Sequence, residues 1–249
     1  ATYFLRAFSK TVNHTILKLT RTVNGGVPVN DKFFSLPEEK QQRIINAGYH
    51  VFSKNSYKKS PVGEIALTAG ISKSLLFHYF HNKKELYLFL WNKAAEITLE
   101  TVKSYACYET EDLIEMMRRG MYAKLAVMKK YPDLTAFTLK AFYEKEPEIV
   151  FEIQKSYANI VQSSAAIFMP KLNPADFRPG LELEMIIKTM YWTTEGYLWK
   201  VLQLDSFDFD QLEKDFLKIL DFWKIAYCRD IQEESTSFCH EKPVKGDAK

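Results

Sequence analysis

Residues 60–86 read SPVGEIALTAGISKSLLFHYFHNKKEL, from Ser60 to Leu86. Val62, Ile65, Ala66 and Ala69 recur at helical spacing. Ser60 followed by Pro61 predicts a helix entry: a hydroxyl to cap orphan N–H groups, then a residue of fixed φ that has no N–H. Gly70 follows Ala69 where that helix must stop, and glycine takes positive φ without steric cost. Ser72 then caps a second helix with apolar positions Leu75, Leu76, Tyr79 and Phe80. Two short helices about a glycine turn make a helix-turn-helix. The second helix also carries Lys73, Ser74 and His78, side chains that suit phosphates and base edges in a major groove. The bland alternative is a compact corner between helices, because the unit alone does not define a function.

Ile65-Ala66, Ala69-Gly70-Ile71-Ser72-Lys73, Tyr79-Phe80, Lys83 and Leu86, with the upstream run Ala47 to Phe52, closely resemble the signature of TetR-type transcriptional regulators. The resemblance spans roughly residues 36 to 90 in register. It implies an all-α homodimer: an N-terminal three-helix helix-turn-helix domain joined by a long helix to a helical ligand-binding and dimerisation domain. It also implies a double-stranded DNA operator and a small-molecule effector as partners. The chain departs from the family pattern at Ser74, Leu75 and Phe77, where Gly, a hydroxyl residue and Tyr are usual. Phe77 lacks a phenolic hydroxyl for a phosphate, whereas Leu75 suits a thymine methyl. Ser56 replaces a turn glycine, and Asn55 beside it tolerates left-handed backbone. The DNA-binding set is then Ser60, Ser72, Lys73, Ser74, Leu75, Phe77, His78, Tyr79 and Lys83. Within it Ser72, Lys73, Ser74 and Leu75 face base edges, and Ser60, His78, Tyr79 and Lys83 hold phosphates.

Outside this stretch, composition sets limits. Nine Gly and nine Pro in 249 residues are too few for a turn-dense β fold. No apolar run is long enough to span a membrane. Cys107, Cys228 and Cys239 are odd in number, far apart and without metal-ligand spacing, which reads as reduced thiols in a cytoplasm. No cofactor motif is present. Net charge is +3, unevenly spread. Residues 1–30 carry Arg6, Lys10, Lys18 and Arg21 and no acid, and residues 31–91 carry nine basic against five acidic side chains. A basic N-terminal part on an acidic remainder suits a protein that offers one end to a polyanion.

Residues 1–30 admit several readings. Leu5, Phe8, Val12, Ile16, Leu19 and Val23 allow an amphipathic helix. The lack of acids also fits a transit peptide or a basic arm. Codons for Asn24-Gly25-Gly26-Val27 can hold a ribosome-binding GGAGG upstream of a GTG at Val29, so residues 1–28 also read as a segment outside the native coding sequence. Ser35-Leu-Pro-Glu38 reads as a capping box opening a helix to about Lys54. The domains expected are 31–91 for DNA, 92–229 for ligand and dimerisation, and a polar tail at 230–249. The long helix from Lys83 is expected to be the one rigid element touching both domains.

Helices are predicted over residues 113–130, 133–145, 148–168, 181–204 and 209–227, with a proline-rich loop at 170–180. The two last helices suit a dimeric four-helix bundle. Candidate ligand-binding residues are Tyr122, Phe137, Phe142, Tyr143, Phe168, Tyr191, Trp192 and Glu195, with Met128 and Tyr157; an aromatic stripe is more often plain core. Glu195, between Thr194 and Gly196 in an apolar helix, is placed to meet a cationic ligand or an Arg or Lys across the dimer. No nucleophile elbow, phosphate-binding glycine loop, HExxH or CxxC points to an enzyme. The competing class is a helical protein-interaction adaptor without DNA binding.

Overall fold

The computed structural model describes residues 30–202 and 208–229. Apart from Asn30, the N-terminal arm and the start-site reading fall outside the described residues, as do the tail 230–249 and the end of the 181–204 helix. Ten α-helices are described: α1 (Asp31–Phe34), α2 (Glu38–Lys54), α3 (Val62–Thr68), α4 (Lys73–Tyr79), α5 (Lys83–Ser104), α6 (Leu113–Lys130), α7 (Pro132–Tyr143), α8 (Val150–Phe168), α9 (Leu183–Leu202) and α10 (Phe209–Tyr227). The fold is all-α, and among the described residues the one β feature is an isolated bridge between Phe177 and Cys228.

The helix-turn-helix forms as α3 and α4. Gly70 has φ 70°. Its N–H donates to Leu67 O and the Ile71 N–H donates to Ala66 O, both at 3.0 Å. That pair of bonds is a Schellman motif, which satisfies the last carbonyls of α3 and turns the chain. Ser72 caps α4 by accepting the Leu75 N–H at 3.1 Å.

Three local expectations fail. Ser60 does not cap α3: its hydroxyl donates to Ser56 O at 2.8 Å and the residue is buried. Asn55 is extended at φ −121°, so the connection after α2 turns without a left-handed residue. The capping box at Ser35 and Glu38 is absent. Ser35 closes α1, its hydroxyl donating to Asp31 O at 3.0 Å, and α2 starts behind Pro37 with no side-chain cap. The reason is Phe33, which is fully buried with its ring 4.9 Å from Phe80 and 5.3 Å from Phe89. Burying such a ring is worth about 1.5–3 kcal/mol, against about 1 kcal/mol for a helix cap. Asn30 secures this short helix, its Nδ2 donating to His78 O and its N–H to Tyr79 O, each at 3.1 Å.

Gly48 of α2 is where α5 crosses closely. A Cβ there would stand 2.5 Å from Leu90 Cδ1, so any larger residue forces the buried Leu90 side chain to shift. Tyr49 lies beside it and donates its hydroxyl to Leu90 O at 2.9 Å.

The long helix α5 is not alone in joining the two parts. Helix α7 packs directly on α2. Phe137, fully buried, lies 5.4 Å from Tyr49, 6.1 Å from Phe52 and 4.9 Å from Tyr87, ring to ring. At one end of α7, Asp133 takes His50 Nδ1 at 2.9 Å and the Ser53 hydroxyl at 3.3 Å. Beyond the other end, Glu144 accepts the Tyr57 N–H at 2.8 Å. One apolar core therefore runs from Phe33 through Ala94 into Phe137, Ala141 and Ile153. A second core, from Leu113 to Trp223, lies among α6, α9 and α10.

The predicted loop at 170–180 contains two 3-10 turns and is pinned to the end of α10. Arg178 N–H donates to Tyr227 O, and its guanidinium donates to Ile225 O, each at 2.9 Å. Asp208 caps α10 through the Asp210 N–H. Gln211 donates to Asp215 one turn on. No helix among the described residues is long and apolar enough to cross a membrane.

Candidate nucleic-acid interface and body cluster

Helix α4 presents Ser72, Lys73, Ser74, Leu75 and His78 to solvent, with Leu76 turned into the core. Ser72 and Ser74 hydroxyls lie 2.9 Å apart, and Lys73 Nζ stands 5.8 Å from the Phe77 ring centre. This surface combines hydroxyls, a cation and an apolar side chain over one turn of helix, the mixture that base edges and thymine methyls accept. Beside it runs a groove of about 450 Å³ whose walls include Ser72 and Leu75 of the turn and α4, and Lys40 and Arg43 of α2. These two cations were not singled out from the sequence. Lys40 falls one helical turn before Ile44 and Arg43 beside it, so both carry the buried stripe Ile44, Ala47, Val51 of α2 past the core to the groove.

Three of the predicted phosphate ligands stand differently. Ser60 is 2% exposed and its hydroxyl is taken by Ser56, so it is not offered to a phosphate. Tyr79 is 6% exposed, its ring packed 5.9 Å from Phe33, because the short α1 covers that side of α4. Lys83 donates to Lys58 O at 3.2 Å and Ser60 O at 3.3 Å, with its ammonium 4.8 Å from the Tyr57 ring centre. Two of its three donors thus hold the α2–α3 connection.

In the body, the predicted ligand residues divide. Phe142, Tyr143, Tyr191 and Glu195 come together with Tyr157. Tyr157 and Tyr191 both donate to Oε1 of Glu195, the former at 3.0 Å. Phe142 lies 4.7 Å from the Tyr157 ring and 4.9 Å from that of Tyr143, which in turn lies 4.2 Å from Trp199. Burial raises the Glu195 carboxyl above its ordinary range, while the Tyr157 hydrogen bond and the Lys124 charge oppose the shift.

The other five stand apart. Phe137 belongs to the junction with α2, Met128 is core, and Phe168 stacks on Tyr108 at 6.1 Å. Tyr122 reaches towards α10: burial and then the Glu213 charge raise its phenol. Trp192 is 58% exposed on α9 and joins none of these contacts. The residue missed was Lys124, the one charge in the apolar run Gly120–Met128. Its charge acts on Glu195 from within the same chain, without an ion pair between them.

Residues 44–89 match the family described as bacterial regulatory proteins, tetR family. The regulator RutR of Escherichia coli O157:H7 is 21% identical over 175 residues, covering 70% of this chain and 80% of that one. The fatty acid metabolism regulator protein of Bacillus subtilis is 22% identical over 187 residues, covering 73% and 93%. The structure of Bacillus subtilis FadR in complex with stearoyl-CoA shares the fold at TM-score 0.58 and 18% identity, over 72% of this chain and 96% of that one. The residues that match the tetR family thus hold the glycine-turned helix-turn-helix, with a helical body of the same fold as these regulators behind it.

Proposed function

We propose that the protein is a ligand-responsive repressor that binds a palindromic operator as a homodimer and leaves it when a small molecule enters the body. The observation that carries this reading is the exposed, Ser72-capped face of α4, held rigidly by the turn at Gly70. In the proposed interface Lys73, Ser72, Ser74 and Leu75 read base edges, with Phe77 supporting Lys73. His78, Lys40 and Arg43 hold phosphates, and Lys83 reaches one with its remaining donor.

The dimer is proposed through α9 and α10. Met185, Trp192 and Trp199 repeat every seven residues along α9 and are exposed in the protomer, as are Phe222 and Ile225 on α10. An apolar face of this kind on a helix requires a cover. Gly196 lies on α9 with no atom of its own chain within 4 Å of a built Cβ, which suits close approach of a partner helix. Two α4 helices related by the two-fold axis would then enter successive major-groove turns about 34–36 Å apart.

Signal transfer is proposed through α7. Its end carries Phe142 and Tyr143 beside the Glu195 cluster, and its middle carries Phe137 against α2. A ligand regulates only by binding one arrangement of the two parts better than the other. That the Bacillus subtilis relative is seen with stearoyl-CoA supports a small-molecule effector for this fold. The test is a gel shift of the full chain against the intergenic DNA upstream of its own gene across a salt series. A salt-sensitive, sequence-selective shift with two-fold protection is expected. Binding that does not discriminate this DNA from random duplex would overturn the proposal.

A further inference from the structure

Three consecutive residues at the end of α7 touch three different parts of the molecule. Phe142 lies 4.7 Å from the Tyr157 ring of α8, and Tyr143 lies 4.2 Å from Trp199 of α9. Glu144 reaches out of the body. Its Oε2 accepts the backbone N–H of Tyr57, 2.8 Å away in the connection between α2 and α3. Its Oε1 accepts the Lys145 N–H at 3.0 Å, so both oxygens are engaged. Tyr57 is 2% exposed, and a buried N–H needs an acceptor. A carboxylate serves that purpose with a charge-assisted bond.

Helix α5 grips the same turn. Lys83 Nζ stands 4.8 Å from the Tyr57 ring centre and donates to the carbonyls of Lys58 and Ser60. Tyr87 packs edge-on against Tyr57 at 5.1 Å. The turn also closes on itself, the Ser60 N–H donating to Ser56 O at 3.0 Å. Held in this way, residues 57–60 leave Lys58 and Lys59 exposed. Neither ammonium has an ion pair or hydrogen bond among the described residues. With Lys83 Nζ 3.2 Å from the Lys58 carbonyl, three cations belong to one turn, and no carboxylate pairs with any of them. Cations left side by side repel one another and gain from a polyanion.

We propose that the Tyr57–Ser60 turn is a second DNA-phosphate contact, made by Lys58 and Lys59, and that Glu144 is the positioning residue that holds this turn against the body. This rests on the DNA-binding reading above and adds to it a contact whose place the body sets. Because Glu144 directly follows Phe142 and Tyr143, a rearrangement of that aromatic cluster displaces the acceptor of the Tyr57 N–H. The turn and its lysines then follow the body.

The test is a salt series of gel shifts with the full chain on the intergenic DNA upstream of its own gene. The slope of log affinity against log salt is compared among the unaltered chain, Lys58→Ala/Lys59→Ala, Glu144→Gln and Glu144→Leu. Both lysines are exposed, so their replacement leaves the fold intact. It should lower the slope by about 0.9 for each phosphate contact released, with no change in the sequence preferred. Glu144→Gln keeps a carbonyl oxygen at the same reach and should keep the slope. Glu144→Leu has no acceptor and should lose the same part of the slope as the lysine variant. Adding Lys58→Ala/Lys59→Ala to Glu144→Leu should change nothing further, since the acid acts through the lysines. Circular dichroism checks each fold, and Glu144→Ser, too short to reach Tyr57, carries the same expectation should the leucine variant unfold. An unchanged slope in the lysine variant overturns the contact. An unchanged slope in Glu144→Leu, or full additivity of the combined variant, overturns the role of Glu144. An unaltered chain that selects no sequence removes the regulator reading, whereas a selective chain whose slope ignores both lysines removes only this inference.

Discussion

Phe137 of α7 and Tyr49 of α2 lie ring to ring, 5.4 Å between centres, across the junction of the helix-turn-helix part and the body. The Tyr49 hydroxyl also donates to Leu90 O, so this one ring touches both helices that cross the junction. Interiors are close-packed and transmit displacement. A shift of α7 therefore reaches α2 without passing along α5.

Phe137→Ala should cost about 3–5 kcal/mol of stability, the usual loss for a fully buried ring. Urea unfolding checks the cost. If α7 carries the signal, Phe137→Leu should keep DNA binding and ligand binding but weaken the effect of one on the other. An unchanged coupling in Phe137→Leu, with α5 intact, would return that role to the long helix.

Base and phosphate contacts separate by salt dependence. Arg43→Ala should weaken all duplexes alike and flatten the salt slope by about 0.9. Lys73→Ala should cost about 1–3 kcal/mol and relax preference at one base pair. Lys83→Ala should in addition lower the melting temperature, since its ammonium holds the carbonyls of Lys58 and Ser60. Binding curves at several salt concentrations, with melting curves alongside, distinguish the three.

Trp192→Asp and Phe222→Asp should each yield folded monomers with little operator affinity, since both side chains are more than half exposed in the protomer. Trp223→Asp is a different experiment. Trp223 is 2% exposed inside the protomer core, so a carboxylate there should unfold the chain. Sedimentation with circular dichroism reads both results. A Trp192→Asp variant that remains dimeric would remove α9 from the interface.

The pH dependence of stability follows from Glu195, whose carboxyl burial raises above the ordinary value of 4.5. A carboxyl that is harder to ionise in the fold favours folding while protonated. That contribution is complete below the unfolded value and is lost as pH rises through the folded one. Glu195→Gln keeps the neutral form throughout. Its melting temperature should therefore match the unaltered chain at about pH 4 and exceed it increasingly towards neutrality. A gap that does not change with pH would show that the carboxyl titrates as it does in the unfolded chain.

Periodicity and punctuation determined much of this molecule on their own. The Gly70 turn, the Ser72 cap, the all-α class and most helices after residue 83 are local matters of φ, capping and apolar spacing, so they are legible in order along the chain. Helix α1 was not, because its cause is distant: Phe33 is drawn into a cavity between Phe80 and Phe89, and that burial outweighs the local cap at Ser35. Site residues divide in the same way. Exposure of Ser74 and Leu75 follows from the face turned away from Leu76, and that of Ser72 and Lys73 from their place at the start of α4. The burial of Ser60 and Tyr79 and the capture of Lys83 by two carbonyls depend on neighbours remote in sequence. Aromatic type marked both Phe137 and Tyr191 for a pocket. Only the packing of α7 on α2 put Phe137 at the junction, and only the approach of α8 to α9 brought Tyr157 to Glu195, because which helix faces meet is decided by the summed burial of the whole chain.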